Sequence, residues 1–452
     1  MDFITEKWID NHNVSLNKQK ITNKFVLCNK NDFNFHDSRW LYHTPYFKHL
    51  NCRIETNLDN LSFDDINFYE ITKSIHSTAL ADLNDKKFIS LVNSGLITLV
   101  INNVGECLNQ IAYDNILEML RSKGINTDNV IFLDGNKYKL GTEQILFDLD
   151  LYNLATLNLK DYEENYFRSE LNFYDKNYYK SHKFISLNNR FAVHRVFLVY
   201  QLYKHGLIDN NYISLLERYD NTNRILSQIK AVLEYMGINE PDNKINEFIE
   251  ELPLEVDVSA LHGHWLDDKK NEIIIHRQLP EVSILKNVYF WINTEVCFGN
   301  LGFMSTLSEA DLQAGLGETG HYFKVTEEDS VNRLWLGEKM YKSILIVPTI
   351  LLGDPGSLNY VRSEGFKTFP DMFDERYDDI QDDRKRMEFI LNEIQRLCNL
   401  SKNELHKLWV KTIPNLKHNF EVFKQINVDR EFFDLYSEIF DRVIQYRMDV
   451  VE

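Results

Sequence analysis

Two spacings of apolar residues alternate along most of this 452-residue chain. Short unbroken runs suit strands buried on both faces, and apolar positions three or four apart suit one face of a helix. The first clear pair is the run Leu96 to Asn102, followed by Ile111 to Lys123 with Ile111, Ile116, Leu117 and Leu120 on one face. Gly124 closes that helix. Val130 to Leu133 is the next strand, ended by Asp134-Gly135-Asn136, so a strand–helix–strand unit with parallel strands is predicted. Ahead of it, Phe68 to Thr72 suits a strand and Lys87 to Ser94 a short helix, while the residues up to about Asn60 are polar and aromatic-rich and read as an irregular lobe.

The pattern restarts after a polar, tyrosine-rich connection, Leu151 to Lys183. Phe184 to Leu187 is a strand, Asn188-Asn189-Arg190 a turn, and Val193 to His205 a helix stopped by Gly206. Asn221 to Glu251 is helical with Pro241 interrupting it, and Val288 to Ile292 is a further strand leading to Asn293-Thr294-Glu295. The stretch Arg333 to Ser357 organises the second half. A short helix carries Glu338 and Lys339 at its start, Pro348 breaks it, Thr349 to Leu352 is a buried strand, and Gly353-Asp354-Pro355-Gly356 turns the chain. Three amphipathic helices follow, Asp382 to Asn399, Lys402 to Gln425 and Arg430 to Met448, which are expected to cover a sheet or cross back to the first lobe. The fold class is therefore α/β, with a first domain over 1–180 and a second over 181–452 that ends in helices.

Composition narrows this further. Hydrophobic residues at 44% supply enough material for packed cores and argue against general disorder. A formal net charge of -18 repels nucleic acid and anionic lipid unless a local basic cleft intervenes. The five cysteines form no CxxC pair, which points away from structural zinc or a disulfide framework and towards a reducing interior. The amino terminus, MDFITEKWIDNHN, lacks the apolar core of a signal peptide. The longest apolar run, Ile344 to Leu352, is interrupted by a proline and falls far short of the roughly 20 residues of a membrane span. A cytoplasmic protein with no membrane span is expected.

Candidate chemistry sits at strand ends, where α/β folds bind ligands. Arg190, His194 and Arg195 gather at a strand-to-helix turn, near the positive end of a helix dipole, which suits a phosphate. Solvated arginines at a helix start are the plainer alternative. Glu106 and Asp134 follow strands of the first half, and the polar group Phe35 to Trp40 contains His36. His262 and His264 have no third ligand nearby and read as loop residues. Gly315 to Gly320 spells GxGxxG, but polar residues and no strand precede it, so it is not a dinucleotide fingerprint.

Three pieces of the second half line up in order: strand-NNR-x-x-x-HR-helix over Phe184 to His205, strand-NTE over Val288 to Glu295, and GEK-helix-strand-GDPGS over Gly337 to Ser357. The set resembles the donor-binding domain of inverting, fucosyltransferase-like glycosyltransferases built from two Rossmann-like domains (GT-B). Most of residues 90–425 also resembles a group of glycosyltransferase-like proteins of phages and marine bacteria, closely so in GDPGSLNYVRSEGFKTFPDMFDERYDDI. The resemblance implies a nucleotide-sugar substrate, a GDP-sugar by default, with no metal or other cofactor. It implies that Glu338 accepts hydrogen bonds from the donor ribose and that Lys339 faces the diphosphate. Arg195, with Arg190 behind it and His194 beside it, would neutralise the departing phosphates, and Thr294 and Glu295 would border the sugar and ribose pocket. The acceptor hydroxyl would need a base from the first domain, in the order Glu106, Asp134, His36. The acceptor itself (glycan, protein or modified nucleic acid) is left open.

This sequence departs from the pattern at Gly337, which stands for a threonine, at Phe191, which stands for an arginine, in the order Asn293-Thr294-Glu295, and in the insertion Phe298 to Asn332. A glycosyltransferase is the function expected. A non-catalytic virion or assembly component of the same fold and a transferase that decorates DNA bases are the alternatives.

Overall fold

The structure is a computed structural model. It describes residues 25–28, 53–55, 57–63, 66–72, 82–103, 110–146, 151, 173–188, 192–215, 222–252, 254, 256, 282–295, 298 and 333–451. Two sheets of parallel strands, with helices packed on them, form an α/β fold.

The first sheet comprises β1 (Phe25–Cys28), β2 (Arg53–Glu55), β3 (Ile66–Thr72), β4 (Ile97–Asn103), β5 (Val130–Asp134) and β6 (Gln144–Leu146). Helix α1 (Lys86–Asn93) precedes β4, and α2 (Gln110–Ser122) joins β4 to β5. The spatial order is β2-β1-β3-β4-β5-β6, and Asn103 at the end of β4 pairs with Asp134 at the end of β5. The expected strand–helix–strand unit is thus present. Residues Ile97, Leu99, Ile101, Val130 and Phe132 pack against Leu117 and Leu120 of α2 and Phe88 and Val92 of α1 in one buried cluster.

The second sheet is built from β7 (His182–Asn188), β8 (Tyr212–Leu215), β9 (Val288–Thr294) and β10 (Thr349–Leu352), in the order β10-β9-β7-β8. Between these strands run α3 (Val193–Lys204), α4 (Thr222–Tyr235), α5 (Asp242–Glu250), α6 (Val282–Lys286) and α7 (Glu338–Ile346). Gly237, in a left-handed conformation (φ 70°), closes α4, and Pro241 stands at the N-cap of α5, where its missing N–H costs nothing. Every residue of β9 and β10 is buried, the signature of parallel strands covered on both faces.

After β10 come α8 (Ser357–Ser363), α9 (Asp383–Asn399), α10 (Lys402–Lys424) and α11 (Val428–Val451). Helix α9 packs on β10, while α10 packs on α7 and β9 and brings Trp409, Leu416 and Phe420 into the main core. A reciprocal capping box of Ser401 and Glu404 opens α10. Helix α11 returns to the first sheet. Arg447 donates to the carbonyls of Gly95, Phe63 and Leu96, and Arg442 to those of Thr142 and Gln144. The expected crossing back of the last helix is therefore observed. Among the described residues no helix is long and apolar enough to cross a membrane.

The turn-rich stretch between β10 and α9 has a structural explanation. Gly356 adopts a left-handed conformation (φ 84°) that suits glycine, and lets the chain enter α8. The Asp378 carboxylate accepts from the amides of Leu358 and Asn359 and so caps that helix. Tyr377 places its hydroxyl on the amide of Leu351, satisfying a donor of the edge strand β10.

Candidate functional site

Read along the sheets, both strand orders begin alike: second, first, third, fourth in chain order. The direction of chain progression reverses between the first and third strands, and ligands of open α/β sheets bind beyond the carboxyl ends at that reversal. In the second sheet the reversal lies between β7 and β9. The end of β7 is Asn188, and its Oδ1 accepts from Thr294 Oγ1, at the end of β9, at 2.7 Å. Helix α3 starts just after β7, and α7 starts level with the end of β9, because the Gly337 amide donates to Glu295 Oε2 at 3.0 Å. Neither helix is capped by the side chain of its own N-cap residue, Ala192 or Gly337. Two helix starts, with their partial positive charge, thus converge on one sheet edge.

His194, Arg195, Thr294 and Glu295 meet there although about 100 residues separate the pairs in sequence. His194 is fully buried, and its Nε2 lies 2.9 Å from the Glu295 carbonyl. Arg195 donates through one terminal nitrogen to the carbonyls of Glu295 (3.0 Å) and Thr294 (3.3 Å). Burial, then the charge of Arg195, press His194 down to about 3; the Glu295 carbonyl opposes this, and Lys339 adds to it. The imidazole is accordingly neutral near pH 7, with its proton on the nitrogen that faces the carbonyl. Because Arg195 and Lys339 both act on the one ring, they mark a concentration of positive charge on a chain of net charge -18. The Glu295 carboxylate is buried beside them, taking the Gly337 amide on Oε2 and the Asn293 amide group on Oε1 at 3.3 Å.

Lys339 is the second residue of α7 and is half-buried. Glu338 is its first residue, and the Glu338 side chain lies outside the described residues, as do His36, Glu106, Arg190, the histidines at 262 and 264, and the glycines at 315–320. Asp134 is described. It ends β5 as expected, but its side chain is fully buried, with Oδ1 accepting from the Asn136 amide and Oδ2 from Gln144 Nε2 at 2.7 Å. That geometry makes Asp134 the anchor of the turn after β5.

Three residues with no predicted role complete the surroundings. Arg333 and Asp354 form a fully buried ion pair with contacts of 3.0 and 3.2 Å, which ties the chain before α7 to the turn after β10. Asn136 accepts from the Leu334 amide at 3.0 Å, and the Lys137 amide donates to the Leu334 carbonyl at 3.1 Å, so the end of β5 touches the same segment. The sequence signals were faint: an arginine directly before Leu334-Trp335-Leu336, and an aspartate in a turn flanked by apolar residues.

Cavities open elsewhere. One of about 600 Å³ lies over Arg362, Met372, Phe373 and Arg396, where Arg362 pairs with Glu375 and Arg396 with Glu393. Another of about 450 Å³ lies between α11 and the amino-terminal ends of β4 and β5. Among the described residues no group of three or more His, Cys, Asp or Glu is arranged to hold a metal ion.

No family model, curated protein or solved structure matches the chain. The class that fold and site define is that of α/β proteins with two parallel sheets and a buried cluster of His194, Arg195 and Glu295 at the strand ends of the second.

Proposed function

We propose that the chain is a glycosyltransferase that moves a sugar from a nucleoside diphosphate to an acceptor hydroxyl, its two sheets serving as the halves of a GT-B arrangement. One observation carries this reading: His194 and Arg195 of α3 reach the Glu295 carbonyl at 2.9 and 3.0 Å while the Gly337 amide at the start of α7 reaches the Glu295 carboxylate at 3.0 Å, so motifs far apart in sequence meet at the reversal point of the second sheet, beside two helix starts. Fixed positive charge aimed at a departing diphosphate stabilises the transition state without reorganisation. In the reaction the acceptor oxygen bonds to the anomeric carbon and its proton passes to a base. The bond from that carbon to the diphosphate oxygen breaks, and its electron pair leaves on the diphosphate. Glu106, next in sequence after β4, is the first choice of base, followed by His36; Asp134 ranks below both because its carboxylate already holds a turn. Glu338 serves the ribose and Lys339 the diphosphate, with an inverting, metal-independent course and a GDP-sugar as default donor.

A thermal-shift screen of GDP, UDP and dTDP tests this. At a hundredfold excess over Kd the bound nucleotide adds about 2.7 kcal/mol of stability, a rise of roughly 5 °C for a cooperative unit of about 250 residues. Lys339→Ala and Glu338→Ala should each lose most of that rise. If no nucleoside diphosphate raises the melting temperature of the unsubstituted protein, the enzyme reading falls and a non-catalytic component of the same fold replaces it.

A further inference from the structure

Two contacts join the two sheets near the site, a backbone bond from the Lys137 amide to the Leu334 carbonyl and one through an uncharged side chain. Asn136 is buried in the turn after β5, and its Oδ1 accepts from two amides, Tyr138 at 3.1 Å and Leu334 at 3.0 Å. On the first-sheet side the turn is fixed by Asp134, which holds both the Asn136 amide and Gln144. On the other side Leu334 sits between two further anchors. Arg333 is paired with Asp354, and three residues past Leu334 the Gly337 amide is held by Glu295. Residues 333–337 are buried but belong to no helix or strand, so their position is set by these contacts and not by a ladder of their own. Buried polar contacts therefore lead from β6 to Leu334, and three residues of chain connect Leu334 to the held amide of Gly337 at the start of α7.

We infer that Asn136 is a positioning residue: it fixes the start of α7, and Lys339 with it, so that the placement of the first sheet against the second is felt at the diphosphate-binding end. The consequence for donor binding rests on the function proposed above, whereas the coupling between Asn136 and α7 does not.

Asn136→Ala and Asn136→Asp in the full chain test both parts. Amide hydrogen exchange is followed by mass spectrometry in residues 333–342 and, as a control, in 288–294, and GDP affinity is measured by titration. The alanine variant should speed exchange in 333–342 at least tenfold, leave 288–294 unchanged and weaken GDP at least fivefold. Aspartate keeps the acceptor oxygen and should restore both to within about threefold. Should Asn136→Ala not fold, Asn136→Ser, with its shorter acceptor, takes its place under the same criteria. Unchanged exchange in 333–342, or equal acceleration in 288–294, overturns the inference. Equal GDP affinity in all three proteins overturns its consequence for the donor while leaving the proposed function standing. Absence of GDP binding in the unsubstituted protein, with the exchange pattern as expected, removes the donor reading and leaves the coupling.

Discussion

Removing the aspartate of the buried Arg333–Asp354 pair should be among the most damaging single changes near the site. Both side chains are essentially inaccessible, and Nε and a terminal nitrogen of the arginine reach different carboxylate oxygens at 3.2 and 3.0 Å. With charge centres about 4 Å apart and an effective dielectric constant of about 20, the attraction is roughly 4 kcal/mol. Much of that only offsets the cost of burying two ions, so the intact pair contributes little net stability. Asp354→Ala removes the attraction and keeps the buried guanidinium, which costs about 3–5 kcal/mol. Over a cooperative unit of a few hundred residues this is a fall in Tm of roughly 6–10 °C. Urea unfolding, followed by tryptophan fluorescence, reads the same change as a lower midpoint at constant slope. The double variant Arg333→Met, Asp354→Leu should recover most of the loss, because it removes the buried guanidinium together with the carboxylate. A loss below about 1 kcal/mol for Asp354→Ala, or a double variant no better than the single one, would refute the argument that desolvated charge governs this contact.

Three other outcomes are expected. Lys180 is buried against Trp409 and Phe173, and burial, then Lys286, lower it to about 7. Its folded value lies below the unfolded 10.5, so the unfolded chain binds the extra proton between those values and stability rises with pH from about 7 to 10; Lys180→Met should flatten that slope in melts recorded across the range. Tyr377→Phe deprives the Leu351 amide of its acceptor on the edge strand and should cost about 1–3 kcal/mol in urea unfolding. Arg447→Ala removes three contacts between α11 and the first sheet, and hydrogen exchange in 440–451 should rise while that in β9 stays unchanged.

Legibility in the sequence followed the strength of each element's own pattern. β4, β5, β7, β9 and β10 were expected because unbroken apolar runs next to helical patterns encode burial on both faces, and helices α2, α9 and α10 because their apolar positions keep the helical period. Missed were β1, β2, β6 and β8, which are three or four residues long, such as Arg53–Glu55 and Gln144–Leu146, and exist because a neighbour supplies the ladder. At the site, His194 and Arg195 were legible from a strand-to-helix turn, whereas Thr294 and Glu295 entered only through the resemblance. The role of Asp134 was not, because a position at a strand end does not say whether the carboxylate faces out or folds back onto Gln144. The link between Asn136 and Leu334 joins residues 198 apart and has no local signature at all.

The strand orders also bear on where an acceptor would meet the donor. In the second sheet the cationic residues gather at the reversal between β7 and β9. The corresponding reversal of the first sheet lies between β1 and β3, whereas contact with the 333–337 segment comes from the end of β5, two strands away from β3. Under the proposed function, the β5 turn is therefore occupied in holding the halves together. Acceptor binding then belongs to the segments that follow β1, β3 and β4 in the chain. Two of the three candidate bases, His36 after β1 and Glu106 after β4, fall in those segments, and the third, Asp134, belongs to the turn that makes the contact. Substituting each base in turn separates these roles: Glu106→Gln or His36→Gln should lower transfer without changing GDP affinity, whereas Asp134→Asn should alter GDP affinity through the turn it anchors. Loss of transfer at unchanged GDP affinity in Asp134→Asn alone would reverse that order and return Asp134 to the chemistry.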